Sequence, residues 1–311
     1  MNAAAMNVPR ILLLGCNGQV GWELQRALSP LGTLTALDFD TPGPRKADFS
    51  QPELLAPLVD ALAPDVIVNA AAHTAVDKAE SEPELARALN ATAVGVLARA
   101  AAARGAWLVH YSTDYVFDGS GDAPREEDAT TGPLSVYGRT KLEGEQLVRD
   151  SGCRHLIFRT SWVYAARGGN FARTMLRLAA ERDALQVVND QVGAPTGAEL
   201  LADVTAQALR QAMARPDLAG TYHVVADGHT TWFDYARHVI EWARERGLPV
   251  RVASEAIRGV PTEAYPTPAQ RPRNSRLSTR RLREAFGLHP APWTDGVNRM
   301  LEEIRPSLTT K

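Results

Sequence analysis

The sequence predicts an α/β protein: a doubly wound parallel sheet followed by a smaller C-terminal lobe. Three observations predict it. Short, continuously apolar strands alternate with helical patterns through the first half. A glycine-rich turn, Gly15-Cys16-Asn17-Gly18-Gln19-Val20-Gly21, joins the first strand to the first helix. The alternation then loosens after about Ser161, where Pro195, Pro261, Pro266, Pro268 and Pro272 break the chain into loops and short elements. Strands that are apolar throughout must be covered on both faces, and strand–helix alternation forces parallel pairing with right-handed crossovers.

The elements follow in order. Residues 10–15 read as a buried strand and 20–28 as an amphipathic helix. Residues 33–38 form a second strand, 52–62 a helix and 65–69 a third strand. Residues 83–104 read as one long alanine-rich helix with Leu89, Val94 and Leu97 on its buried stripe. A strand at 107–112, a helix at 136–150 and a strand at 155–159 complete the pattern. The expected division is a dinucleotide-binding Rossmann domain over 1–160 and a mainly substrate-binding lobe over 161–311, with some segments returning to the sheet.

Composition narrows the function. The 34 Lys and Arg against 36 Asp and Glu leave a net charge of −2, which argues against a nucleic-acid partner. With 45% hydrophobic and 23% charged residues the chain is of ordinary globular composition, which excludes disorder. Cys16 and Cys153 are the only cysteines, so a disulfide scaffold and a cysteine zinc site are excluded and a reducing cytoplasm is expected. The N-terminus lacks the basic start and apolar stretch of a secretion signal, and Met6 is a second candidate start. The apolar runs are far too short to span a membrane, so no membrane partner is expected.

The glycine turn has the spacing G-x-x-G-x-x-G. Gly15 permits the tight turn, and Gly18 opens the helix start to a pyrophosphate. Gly21 lets the helix pack closely on the sheet. Asp38 ends the second strand, where an acid accepts the ribose hydroxyls of NAD. Arg45 and Lys46 follow closely and suit a 2′-phosphate, so NADH and NADPH both stay open.

Tyr137 and Lys141 spell Y-x-x-x-K on the helix at 136–150, which places them on one face. An ammonium beside a phenol lowers the phenol's pKa, so Tyr137 suits proton transfer at a carbonyl or alcohol oxygen. Ser112 and Thr113 end a strand of the same sheet, at the edge where ligands bind in such folds.

Taken together, the glycine turn, Asn69-Ala70-Ala71-Ala72, the strand-end hydroxyl and Y-x-x-x-K resemble the extended short-chain dehydrogenase/reductase family, which acts mainly on nucleotide-linked sugars. Longer runs resemble its dTDP-4-dehydrorhamnose reductase branch. They include Ala71-Ala72-His73-Thr74-Ala75-Val76-Asp77, Ser112-Thr113-Asp114-Tyr115-Val116-Phe117, Arg159-Thr160-Ser161-Trp162, Asp190-Gln191-Val192-Gly193-Ala194-Pro195-Thr196 and Arg271-Pro272-Arg273-Asn274-Ser275.

That resemblance implies NAD(P)H-dependent reduction of the C4 ketone of a dTDP-sugar to dTDP-L-rhamnose, with Tyr137 as proton donor. It implies Thr113 as the catalytic hydroxyl, with Ser112 the weaker match, and Asp114 and Trp162 as sugar contacts. It implies cofactor contacts from Gly18, Gln19, Val20, Asp38, Asp48, Phe49, Ala72, His73, Thr74 and Tyr111, with His73 acting through its backbone. It also implies a homodimer, and Mg²⁺ held by Glu23, Glu199 and Glu303. Tyr164 and Tyr265 are further candidates for stacking on sugar or base. Arg271 and Arg273 suit phosphate contacts or a solvated surface equally well.

Two rival functions remain. A 4,6-dehydratase or C4 epimerase of the same family retains its NAD; dehydratases carry an Asp-Glu pair after the strand-end Thr, whereas Thr113 is followed by Asp114-Tyr115. A non-catalytic NADP-binding regulatory subunit would be expected to alter the Tyr137–Lys141 pair, and both residues are intact.

Overall fold

The computed structural model describes residues 8–43 and 45–309. The candidate start Met6 lies outside the described residues. Five strands alternate with helices: β1 (Arg10–Leu14), β2 (Thr33–Leu37), β3 (Val66–Asn69), β4 (Trp107–Thr113) and β5 (Arg154–Thr160). They join a sixth, Gly220–His223, in one sheet of order Gly220–His223, β5, β4, β3, β1, β2. Every pairing in it is parallel. The sixth strand comes from the second half of the chain.

Side-chain alternation splits the strands between two cores. Ile11, Leu13, Val66 and Val68 face one side, where the helices Gln19–Leu28 (α1) and Ala198–Ala214 cover them. Leu12, Leu14 and Ile67 face the other, against Val94, Leu97 and Ala101. A third core joins the helices Phe171–Glu181, Trp232–Glu245 and Trp293–Thr309 around Tyr235, Val239 and Leu301.

Two expectations need correction. The second half is not mainly loops: besides those three helices it holds Ala198–Ala214, each with an apolar stripe that buries against a neighbour. The prolines cited from that region lie between these helices, chiefly in the segment after Val260. The alanine-rich stretch is also not one regular helix. It runs as Pro83–Arg87, a π-helical turn Ala88–Thr92, and Ala93–Arg104. The wide turn meets the helix Val136–Asp150 (α2), where a Cβ on Gly144 would lie 2.2 Å from the Asn90 carbonyl oxygen. Asn90 is fully buried there and bonds His73 and Thr140. A short helix, Val76–Ser81, was not foreseen.

Candidate active site

The glycine turn is shaped by close backbone approach. Gly15 has φ +81°, and a Cβ there would sit 2.5 Å from the Ala71 nitrogen. A Cβ on Gly21 would lie 1.9 Å from the Gly15 carbonyl oxygen. Gly18 is the N-cap of α1 and supplies no side-chain cap, so amide groups at this helix start have no side-chain acceptor from the cap residue. Beside it lies a cleft of about 500 Å³ lined by Gly15, Gly18, Asp38, Asp48, Phe49 and Ala72, with Phe39, Leu85 and Leu89 as apolar walls. An open helix start next to a half-apolar slot fits a dinucleotide: amides and dipole for the pyrophosphate, aromatic and aliphatic walls for a base.

The two carboxylates of this lining are held by neighbouring groups, and Gln19, Val20, His73, Thr74 and Tyr111 lie outside it. The Asp38 carboxylate accepts from the Asn17 and Phe39 amides at 2.9 and 2.8 Å, which ties the strand end to the glycine turn. Asp48 accepts from Ser50 and Gln51, and the Ser50 hydroxyl holds its carboxyl below the usual range. The Gln19 amide reaches across to the Arg167 and Gly169 carbonyls at 3.0 and 3.2 Å. Val20 packs against the core, and Thr74 is exposed. Both backbone polar groups of His73 are engaged by the Asn90 side chain, and its ring lies 3.6 Å from Glu82. Its backbone is therefore committed to the π turn. The Tyr111 hydroxyl bonds Thr205 at 2.6 Å, so only the Tyr111 carbonyl turns toward the catalytic helix.

Beside the turn after β4, α2 opens with Ser135 accepting from the Gly138 amide at 3.2 Å. Gly138 lets this helix start press on the turn after β4; a Cβ would lie 2.3 Å from the Tyr115 carbonyl oxygen. That approach sets Tyr137 edge-on to Tyr115, with ring centroids 5.5 Å apart, and beside the Thr113 hydroxyl. Successive strand residues face opposite sides, and Ser112 lies beside the Glu145 carboxylate instead. Thr113 donates to Asp114 at 3.0 Å. Burial pushes the Asp114 carboxyl up to about 6, against the pull of the Ser275 and Thr113 hydroxyls.

Lys141, one turn after Tyr137, is buried and donates to the Tyr111 carbonyl at 2.6 Å. Desolvation pushes its ammonium down to about 8, opposed by Glu145. Desolvation also pushes the Tyr137 phenol up to about 12, although the Thr113 hydroxyl pulls it down. The expected lowering of Tyr137 is thus reversed in this state, because Lys141 is bound to Tyr111 and the dry surroundings dominate. Glu145, another turn along, is fully buried and paired with Arg159 at 2.7 Å. The i, i+4, i+8 spacing of Tyr137, Lys141 and Glu145 was visible in the sequence; Arg159, Asn90 and His110 carried no such signal.

Trp162 adopts a left-handed backbone, φ +50°, and stacks on Trp232 at 3.6 Å. Gly193 fits beneath it: a Cβ there would lie 2.6 Å from the indole. Tyr164 is buried in the C-terminal core and Tyr265 is exposed. Arg271 is bound to Asp77 at 2.7 Å and Arg273 to Glu263, so both guanidinium groups are engaged by carboxylates. Glu23, Glu199 and Glu303 do line one cleft. Arg299 holds Glu199 at 2.8 Å and Arg26 lies 3.6 Å from Glu23, and among the described residues no three carboxylate, His or Cys groups converge as a metal site. Within one chain the three glutamates thus share a cleft without converging on a single point.

A parallel doubly wound sheet with a glycine turn at one strand end and a Thr–Tyr–Lys set at another defines the class: an oxidoreductase of the short-chain type. The particular family follows from comparison with known proteins. The chain belongs to the dTDP-4-dehydrorhamnose reductase family, matching the RmlD substrate binding domain over residues 9–305. It is 59% identical to the dTDP-4-dehydrorhamnose reductase of Escherichia coli strain K12, over 94% of this chain and 97% of that one. Among solved structures, it is similar to the dTDP-4-dehydrorhamnose reductase of Clostridium acetobutylicum, with TM-score 0.85 and 34% identity over 95% and 99% of the two chains. It is also similar to that of Bacillus anthracis in complex with NADP, with TM-score 0.84 and 33% identity over 95% and 99%.

Proposed function

We propose that this chain reduces the C4 ketone of dTDP-4-dehydro-6-deoxy-L-mannose to the C4 alcohol of dTDP-L-rhamnose, with NADPH or NADH as reductant. The single observation that carries the mechanism is Tyr137, held beside the Thr113 hydroxyl with its phenol pushed up to about 12. Such a phenol keeps its proton at neutral pH, which is the form a reductase needs.

When bound, NAD(P)H would supply the hydride for C4. Tyr137 gives its proton to the C4 oxygen as that oxygen gathers charge. Thr113, whose single hydroxyl hydrogen goes to Asp114 in the free protein, turns that hydrogen to the same oxygen and orients it. Lys141 lies one turn away and limits the cost of the tyrosinate left behind. Asp114 and Trp162 contact the sugar. Gly15, Gly18 and Gly21 shape the pyrophosphate cradle, while Asp38, Asp48, Phe49 and Ala72 line the adenosine slot with Phe39 and Leu85. The reading extends to a homodimer in a reducing cytoplasm, in keeping with two buried free cysteines.

The test is absorbance decay of NADPH, then NADH, with dTDP-4-dehydro-L-rhamnose. Tyr137→Phe is expected to fold, bind cofactor and lose about 10²–10⁴ in kcat. Normal turnover in that variant would overturn the proton-donor assignment. Cofactor binding without turnover in the parent would favour a different sugar nucleotide or a regulatory subunit.

A further inference from the structure

Residues 165–170 form a short loop between the strand Val163–Tyr164 and the helix Phe171–Glu181. Both ends of the loop are fixed by one residue. Asn170 donates to the Ala165 carbonyl at 2.7 Å, and its Oδ1 accepts from the Arg173 amide at 3.0 Å, which caps the helix. Between these ends the backbone turns at Gly168, φ +77°. The middle of the loop is tied across the molecule to Gln19, the first residue of α1, whose side chain donates to the Arg167 and Gly169 carbonyls. The Arg167 guanidinium rests on the Trp22 ring, with Cζ 4.0 Å from the ring centroid. Gln19 and Trp22 are three residues apart, so both lie on the face of α1 that meets this loop.

The electrostatics of this arrangement are one-sided. The first turn of α1 is the positive end of the helix dipole, holds no acidic residue, and has no side-chain cap from Gly18. An exposed guanidinium beside it adds positive charge to a place that already repels a cation. Arg26, one turn beyond Trp22, is held by Asp203 at 2.9 Å and lies 3.6 Å from Glu23. Arg167 has no carboxylate within ion-pair distance among the described residues, and the Trp22 ring is its contact. The acids nearest the turn are turned elsewhere: Asp38 and Asp40 accept from Asn17 at 2.9 and 2.8 Å. An aromatic face is a weak hold for a cation at an exposed site, and a phosphate oxygen is a much stronger one.

We propose that Arg167 is a cofactor-binding residue: its guanidinium leaves the Trp22 ring and closes on the diphosphate of the dinucleotide at the start of α1, while Gln19 holds its loop in place. This rests on the dinucleotide reading of the glycine turn given above. The chemistry matches the need. Between Gly15 and Leu28 the chain carries one cation, Arg26, which stands in the last turn of α1 and is bound to Asp203. The glycine turn therefore offers a diphosphate only amides and a helix dipole, and the full charge must come from another part of the chain. A guanidinium is always charged, and its planar fork donates to two phosphate oxygens at once. The diphosphate is common to NADPH and NADH, so Arg167 grips both alike.

Equilibrium binding to the full chain tests this without turnover. NADPH, NADH, ADP and adenosine are titrated into the parent, Arg167→Ala and Arg167→Lys. Arg167→Ala is expected to raise Kd for NADPH, NADH and ADP by about tenfold, the scale of one charge-assisted hydrogen bond, and to leave adenosine unchanged. The loss should shrink as salt is added. Arg167→Lys should recover part of it, because the charge is kept and the fork is lost. The Tm of the unliganded chain should stay unchanged, since the side chain is exposed. Unchanged Kd for ADP and NADPH in Arg167→Ala would overturn the proposal. So would an equal loss for adenosine with a lowered Tm, which would make Arg167 a brace for its loop. If the reductase reading alone fails, the parent binds NADPH without turning over the dTDP-sugar, and the Arg167 losses persist. A parent that binds neither NADPH nor ADP would overturn the dinucleotide reading and this proposal together.

Discussion

The catalytic helix and the glycine-turn cleft are built on opposite physical terms. Around the catalytic helix His110, Lys141, Glu145 and Arg159 are at most 3% exposed; desolvation drives the shifts at His110, Lys141 and Tyr137, and at Glu145 it is overcome by Arg159, which lowers the carboxyl. At the glycine-turn cleft Phe39 is 65% exposed, Leu85 is 39% exposed, and the Asp48 carboxyl is lowered by hydroxyl and amide donors instead. A dry site can tune protonation because neighbours act through low dielectric. A wet slot can grip a ligand by shape and apolar contact, but it leaves charges near their solution behaviour. The buried helix can therefore tune protonation, whereas the exposed cleft offers shape and apolar contact.

The largest test of that contrast removes a charge from the dry end. Arg159→Leu leaves Glu145 buried with only the half-exposed Arg149 and the Ser112 hydroxyl. It should cost about 3–5 kcal/mol in chemical denaturation. A loss like that of an exposed pair would show that the site is wetter than its geometry implies.

Asp114 sharpens the comparison through pH. Burial raises its folded value from 3.8 to about 6, so the native state holds an extra proton between those values. Its contribution to stability is present at the acid end of that window and is lost as pH rises through about 6. Asp114→Asn removes the titration. Its Tm should fall less than the parent's between the two ends of the window, and parallel curves would contradict the burial argument.

The smallest effect belongs to the wet end. Arg45 and Lys46 are exposed near the glycine-turn cleft, where the Lys46 charge helps lower the Asp48 carboxyl. Replacing both with Ser should weaken NADPH binding about fivefold at low salt, with NADH nearly unaffected, and added salt should shrink the difference. Equal losses for both cofactors would remove these residues from 2′-phosphate recognition.

The same split governs what was legible beforehand. The glycine turn, the strand ends at Asp38 and Thr113, and the Tyr137–Lys141 spacing were readable because each is a local pattern with a local physical reason. The Val136–Asp150 helix appears at the expected bounds for the same reason. The four long helices of the second half were obscured by prolines that lie in the connections between them. The π turn at Ala88–Thr92 was hidden because it answers to Gly144 and His73, which are distant in sequence.

By itself, then, the sequence determined the alternating strands and helices, the open helix start for a pyrophosphate, and the pairing of Tyr137 with Lys141 on one helix face. Apolar periodicity and glycine spacing act over a few residues, so they need no tertiary context. Only the tertiary structure decided that Thr113, not Ser112, stands beside Tyr137, that Lys141 is held by the Tyr111 carbonyl, and that Arg271 and Arg273 are bound to acids. Those outcomes depend on strand register, burial and competing partners, which exist only once the sheet has assembled.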